Sequence, residues 1–176
     1  MVGKLLVAHP SILGDHSFGR SVVLMVEHND EGSLGFIVNQ HTHYTLHDLA
    51  PELGIDAPVF NGGPVDLDRL FYIHNSAEIT NAQAVGNQLF WGGDLDEIKT
   101  ALHSKKLKSS QIKFLLGYAG WSKNQLNREC KTNTWVLVKN TYNLFTNEEK
   151  LWGNIIRDMG GELSFYADAP INPGLN

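Results

Sequence analysis

The chain has 176 residues, of which 42% are hydrophobic and 19% are charged, and its net charge is −5. This length and composition are typical of one globular domain over residues 1–176, and no apolar run approaches the roughly 18 residues that cross a bilayer. An acidic chain with scattered lysines lacks the basic face of duplex binders, so direct nucleic-acid binding is not expected. The single Cys130 excludes an internal disulfide and the N-terminal apolar stretch is too short for a secretory signal, so we expect a cytoplasmic protein without membrane association.

The first half of the chain predicts strands joined by tight turns. Residues 4–8 form a first strand, and 20–27 contains an unbroken apolar run that suits a strand buried on both faces. The loop 28–32 has hairpin length, so 33–39 is predicted to return antiparallel, and Gly35 indicates a bulge or a close backbone approach. A short helix over 45–50, a turn over 61–64 and strands over 69–74 and 89–91 follow.

The second half adds helices to this sheet. Helices are predicted over 94–103, over 122–131 and from 146 to the pair Gly160–Gly161, with strands over 112–116 and 134–138 between them. The tail over 167–176 is expected to be extended. Because strands dominate the first half and an antiparallel hairpin is present, the sequence predicts one α+β domain rather than a doubly wound parallel sheet.

The stretch 116–126 is the most informative local feature. It predicts an apolar strand, a glycine-rich turn and a helix that begins at Ser122, with Trp121 at the junction. Ser122 and Gln125 fit a capping box, which explains both residues structurally. The first turn nevertheless carries Lys123 and no carboxylate, so its unpaired N–H groups could hold an anion, and both interpretations stay open. The candidate residues here are Gly120, Trp121, Lys123 and the pair Gln125 and Glu129, which lie one helical turn apart.

A second glycine site is the sequence Gly62-Gly63-Pro64. Consecutive glycines can form a nest of backbone amides that binds an anion, but they are more often a turn, which the fixed φ of proline supports. No phosphate-binding loop and no dinucleotide-binding glycine motif occurs in the chain. Nucleotide hydrolysis by those devices is therefore not expected.

The histidines suggest a metal site only weakly. His41 and His43 on an extended chain would share a face, and His47 and Asp48 follow shortly. The set lacks the further histidine and acidic ligands of a catalytic zinc site, and Cys130 alone cannot complete a thiolate site. No metal and no cofactor are expected.

A nucleophile–base pair is also weakly indicated. Cys130 lies late in its helix, away from the N-terminal dipole that would lower its pKa. His28 and Asn39 flank the hairpin and could face each other across its ends. The simpler interpretation is that both cap strand ends through side-chain hydrogen bonds.

An ordered set of segments resembles the AlgH/YqgE family of small bacterial proteins. The segments are 14–18, 22–28, 32–39, 62–65 and 117–121, followed by Gln125, Leu126, Glu129 and Trp135, and the resemblance covers nearly the whole chain. The resemblance implies an α+β domain with a mostly antiparallel, barrel-like, branched sheet surrounded by helices. The family is labelled as a transcriptional regulator without an established biochemical activity. This chain departs from the family pattern at Gln40, His41, Ser122 and Asn124.

The resulting hypothesis is a non-catalytic binding or regulatory protein that acts through a small anionic ligand or a protein partner. Its site is predicted as one shared surface formed by His28, Asn39, Gly62, Gly63, Pro64, Gly120, Trp121, Lys123, Gln125 and Glu129. The alternative is an enzyme acting on a small anionic substrate, with His28 or Glu129 as general acid or base. A purely structural partner protein would instead expose an apolar patch.

Overall fold

The computed structural model describes residues 1–146 and 148–169. Within them the strands are β1 (Leu5–Ala8), β2 (Val22–His28), β3 (Gly32–Ile37), β4 (His41–Thr45), β5 (Pro58–Asn61), β6 (Val65–His74), β7 (Ala82–Gly86), β8 (Leu89–Gly92), β9 (Ile112–Ser122) and β10 (Trp135–Val138). The α-helices are α1 (Leu46–Leu49), α2 (Leu95–His103), α3 (Gln125–Lys131) and α4 (Glu148–Met159), and a 3-10 helix covers Gly161–Tyr166.

The strands form a curled, mostly antiparallel sheet in the order β10-β1-β2-β3-β9-β6-β8-β7. The sheet branches at β9, because β5 pairs with it in parallel and carries β4 on its own outer edge. The curl brings the tip of the β7–β8 hairpin close to the end of β10, where Asn87 Nδ2 donates to the Asn140 carbonyl at 2.8 Å. The predicted α+β fold with a barrel-like, branched sheet and surrounding helices is confirmed.

The predicted hairpin is present as β2 and β3. A Cβ on Gly35 would lie 2.6 Å from Val23 Cγ1 and 2.9 Å from the Leu24 carbonyl oxygen, so only glycine fits there without a shift. The pairing register also slips between Met25 and Glu27, opposite this glycine. Both consequences predicted for Gly35, a bulge and a close backbone approach, therefore occur.

The predicted strand over 112–116 is too short, and the prediction of a glycine-rich turn after it is wrong. The chain continues as one strand, β9, through Ser122, because β6 pairs with its first part and β3 pairs with residues 119–122. Gly117 has a φ of +71°, and a Cβ there would lie 2.6 Å from the Gly63 carbonyl oxygen. This glycine therefore permits two backbones to cross closely within the sheet, where the sequence suggested a turn.

Strand β9 also connects two hydrophobic cores. Leu115 and Trp121 pack in a large core with β1, β2 and α4, whereas Phe114 packs in a smaller core with Leu46 of α1 and Ile98 of α2. Successive side chains of a strand point to opposite faces, so neighbouring residues of β9 contribute to different cores. This central strand positions the cleft and the corners described below.

Several elements escaped the sequence prediction. Strand β7 has the sequence Ala-Gln-Ala-Val-Gly, which has low strand propensity and is held by its hairpin partner β8. The predicted start of the last helix at 146 includes Asn147, which lies outside the described residues, as do residues 170–176 of the predicted extended tail. Residues 167–169 follow the 3-10 helix as a turn. Among the helices of the described chain, none combines the length and the apolar character that crossing a bilayer requires.

Candidate functional site

The side chain of Glu129 organises the corner around Trp121. Its Oε2 accepts the indole N–H groups of Trp121 and Trp135, each at 2.8 Å, and its Oε1 accepts Nε2 of Gln125 at 2.9 Å. Trp121 is buried, with 5% of its surface exposed. The predicted proximity of Gln125 and Glu129 is confirmed, and their polar groups are used within the protein.

Helix α3 does not begin where the capping pattern places it. Pairing with Gly32 keeps Ser122 in β9, and the helix starts at Gln125 after Asn124, which has a φ of +62° and no side-chain cap. Gln125 Oε1 still accepts the Ser122 N–H at 3.0 Å, so half of the predicted capping box forms without Ser122 being the cap. Lys123 lies in the exposed turn before the helix, so the predicted electropositive first turn around Lys123 is wrong.

The hairpin separates two of the predicted site residues. His28 lies at the turn end, where its Nδ1 is 2.7 Å from Ser33 Oγ and where Ser33 pairs with Trp121. Asn39 lies at the opposite end, where its Oδ1 accepts the Val22 N–H at 2.7 Å. The seven residues of β2 separate these ends by roughly 20 Å. His28 and Trp121 are neighbours, whereas Asn39 is not, so the prediction that all candidate residues converge on one surface is wrong.

The glycines at 62 and 63 are used for packing. The N–H of Gly62 donates to Leu116 at 2.8 Å, and the N–H of Gly63 donates to Asn61 Oδ1 at 3.1 Å. A Cβ on either glycine would collide with the backbone of β9 at Gly117 or Tyr118. Both amides already have partners, so the turn-like interpretation of Gly62-Gly63-Pro64 agrees with the geometry better than an anion nest.

The polar residues considered for metal or thiolate chemistry have other contacts. The His41 ring packs on Phe60 with centroids 4.4 Å apart, and Asp48 caps α1 through Thr45. Hydrogen bonds from Thr45 hold the pKa of Asp48 below its ordinary value, whereas burial raises the pKa of Cys130. Over residues 1–146 and 148–169, no group of three or more His, Cys, Asp or Glu side chains is placed to hold a metal ion.

Lys113 is a buried cation within strand β9. Its Nζ donates to the Val38 carbonyl at 2.7 Å, lies 3.1 Å from Glu148 Oε1 and sits 4.1 Å from the Phe60 ring centroid. Burial lowers the pKa of Lys113 to about 8, against the opposing effect of Glu148. Its position between Ile112 and Phe114 in an apolar strand was the available signal for burial.

A cleft of about 880 Å³ lies beside α4, and we call it the C-terminal cleft. Its lining includes three cationic side chains, those of Arg20, Lys150 and Arg157, and two carboxylates, those of Glu149 and Asp168. Polar groups of Asn39, Gln40, His41 and Asn154 complete much of the wall. Of the predicted site residues, Asn39 alone lines this cleft.

The last described residues of the chain lie in the C-terminal cleft. Arg157 Nη2 pairs with Asp168 Oδ1 at 2.7 Å, and Arg20 Nη2 donates to the Ala169 carbonyl at 2.8 Å. The Arg20 guanidinium also lies 5.1 Å from the ring centroid of Trp152. A Cβ on Gly153 would lie 2.8 Å from the Ala167 carbonyl oxygen, so the glycine in α4 allows this segment to approach closely. Sequence reasoning missed these residues, although Arg20 directly precedes the buried run of β2.

Comparison with known proteins gives a consistent family match. Residues 5–164 match the family described as DUF179: AlgH-like. A UPF0301 protein of Cytophaga hutchinsonii is 37% identical over 179 aligned positions, covering 99% of this chain and 98% of that protein. A UPF0301 protein of Chlorobaculum parvum is 38% identical, covering 99% of this chain and 95% of its own length.

Two solved structures are similar in fold. The solution structure of the AlgH protein from Pseudomonas aeruginosa superposes with a TM-score of 0.72 at 26% identity, covering 96% of this chain and 93% of that one. The crystal structure of protein DIP2367 from Corynebacterium diphtheriae superposes with a TM-score of 0.74 at 22% identity, covering 94% and 91%. The second likeness concerns the fold alone.

Proposed function

The chain belongs to the AlgH-like family, and on that premise we propose that it is a non-catalytic binding protein that takes an anionic ligand in the C-terminal cleft. One observation supports this proposal above the others. Arg157 already holds a carboxylate in the cleft, that of Asp168, at 2.7 Å. A guanidinium fork suits carboxylates and phosphates alike, so an external anion can replace this exposed side chain.

The contacts of the other candidate groups favour binding over catalysis. Glu129 accepts three hydrogen bonds from Trp121, Trp135 and Gln125, which occupies both oxygens that a general base would use. The exposed pair of His28 Nδ1 and Ser33 Oγ, 2.7 Å apart, supports the alternative of an enzyme acting on a small anionic substrate. This pair would then act at the Trp121 corner, far from the C-terminal cleft.

We also propose that any regulatory role runs through this ligand or a protein partner rather than through DNA. The net charge of −5 makes contact with phosphate backbones unfavourable. A cytoplasmic location remains part of the same proposal.

The test is a titration of the purified protein with inorganic phosphate and with succinate, measured by calorimetry and by NMR. We expect binding that Arg157→Gln weakens roughly two- to fivefold, because an exposed ion pair contributes roughly 0–1 kcal/mol. Lys123→Gln is the matched control, since it removes one exposed positive charge at the Trp121 corner. Loss of binding in the control, with Arg157→Gln unaffected, would move the site to that corner and contradict the proposal.

A further inference from the structure

We infer that the C-terminal cleft binds an acidic segment of a different protein, in the manner in which it now holds its own residues 167–169. The inference rests on the proposed function and names its ligand class. The chain's own segment supplies three different kinds of contact in this cleft. A peptide can make all three contacts, whereas a free ion cannot.

The first contact recognises an acidic side chain. Arg157 Nη2 and Asp168 Oδ1 are 2.7 Å apart, and Arg157 Nη1 also donates to Asn154 Oδ1 at 3.2 Å, which orients the guanidinium. The side chains of Arg157 and Asp168 are 50% and 84% exposed, so the pair is accessible to exchange. Exposed ion pairs contribute little to stability, which makes exchange energetically easy.

The second and third contacts recognise main chain. Arg20 Nη2 donates to the carbonyl of Ala169, the residue after the acidic one, at 2.8 Å. The carbonyl oxygen of Ala167, the residue before Asp168, packs against Gly153. A Cβ on Gly153 would lie only 2.8 Å from this oxygen. Glycine inside a helix is less favourable than alanine, so its presence in α4 has a packing reason. An inorganic anion can use Arg157 but leaves these two contacts unmade.

The size of the cleft also favours a peptide ligand. A volume of about 880 Å³ is in the range of pockets that hold extended organic ligands. Asn154 on its wall carries an amide NH₂ group, which can donate to a peptide C=O group. A partner segment with an acidic residue between two small residues would reproduce the contacts of 167–169.

The chain's own segment competes with such a partner. A tethered ligand acts at an effective concentration in the millimolar range, so an external peptide must outcompete it to make the same contacts. Removing the Asp168 carboxylate weakens this internal competitor and leaves Arg157 in place. Asp168→Asn is therefore the variant in which external binding is easiest to detect.

The experiment uses the full chain and two blocked hexapeptides. One has the sequence of residues 164–169, Ser-Phe-Tyr-Ala-Asp-Ala, and the other has Asn in place of Asp. Calorimetry is combined with NMR of the indole N–H of Trp152, which lies beside Arg20. We expect the Asp peptide to bind Asp168→Asn protein about threefold more tightly than wild type, and about threefold more tightly than the Asn peptide does. The double variant Asp168→Asn/Arg157→Gln should lose this preference.

Gly153→Ala provides a second variant that keeps both arginines. The added Cβ displaces the Ala167 backbone, so we expect phosphate and succinate to bind more tightly because the internal segment is loosened. The affinity of the Asp peptide should increase less than that of these ions, because the same methyl group obstructs the main chain of the peptide. A far-UV circular dichroism spectrum like that of wild type confirms that the variant is folded.

The outcomes separate the two proposals. Binding of phosphate and succinate without binding of either peptide would overturn the peptide inference and leave the anion-binding function standing. Binding of none of these probes by wild type or Asp168→Asn would contradict both. A protein that elutes as a dimer and dissociates when the Asp peptide is added would identify the occupant as a second copy of this chain, which would also overturn the inference.

Discussion

Glu129 Oε2 accepts the indole N–H of Trp121 at 2.8 Å, and this bond ties helix α3 to the end of β9. The same oxygen accepts the indole of Trp135 at the start of β10, so one carboxylate joins three elements. The Trp121 corner is therefore best explained as architecture.

This network predicts a stability effect. Glu129→Gln replaces one carboxylate oxygen by an amide NH₂, which cannot accept from Gln125 or from an indole, and the remaining oxygen is uncharged, so we expect the free energy of unfolding to fall by about 2 kcal/mol. Urea denaturation followed by tryptophan fluorescence measures it. Glu31→Gln removes a carboxylate from an exposed loop and should change stability little. Phosphate affinity should stay at the wild-type value in Glu129→Gln, and a large loss would instead connect this corner to ligand binding.

Lys113 predicts a pH dependence of stability. Its pKa is about 8 in the folded protein and 10.5 in its ordinary state, so between these values the unfolded chain binds more protons than the folded chain. Stability then rises with pH across this window. We expect the free energy of unfolding of wild type, relative to Lys113→Met, to increase from pH 8 to pH 10.5.

The control for this prediction is the exposed Lys105, substituted in the same way. The difference in free energy of unfolding between wild type and Lys105→Met should show no comparable change over the same pH range. A difference between wild type and Lys113→Met that stays constant with pH would mean that Lys113 keeps an ordinary pKa.

The backbone crossing at Gly117 predicts a difference between two glycines. Gly117 and Gly86 both have positive φ, at +71° and +96°, so alanine is strained at either position. A Cβ at Gly117 would also lie 2.6 Å from the Gly63 carbonyl oxygen, whereas a Cβ at Gly86 would meet no packed atom within 4 Å. Gly117→Ala should therefore cost at least about 1 kcal/mol more than Gly86→Ala in thermal or urea unfolding. Equal costs would show that the crossing can relax.

Strand β9 predicts that the two cores unfold together. We propose that residues 1–176 form one domain, since Phe114 and Leu115 are neighbours in β9 and pack in different cores. Far-UV circular dichroism and tryptophan fluorescence should give coincident transitions in urea. Phe114→Ala should lower both midpoints together, because deleting a buried phenyl ring costs roughly 3–5 kcal/mol. Separate transitions for the two signals would indicate two independent units.

Local sequence patterns determined a large part of the fold. The apolar run of β2 and the hairpin-length loop after it predicted β2 and β3, and Gly35 marked the bulge between them. The predicted helix over 94–103 is present as α2, and the Asp94 side chain caps it by accepting the Glu97 N–H at 3.0 Å. These features depend on residues close in sequence, where periodicity, caps and glycine positions carry the information. The ordered motifs also identified the family, because a set spread over the chain is specific even where each piece is weak.

Only the tertiary structure decided which of these residues meet. Gly117 and Gly120 look like turn residues, yet pairing with β6 and β3 keeps them in one strand. Lys113 is buried because Val38 and Glu148, both distant in sequence, supply its partners. The C-terminal cleft likewise exists because the folded sheet brings the turn at Arg20 against α4. Such contacts arise from long-range pairing and packing, which no local pattern of a single sequence encodes.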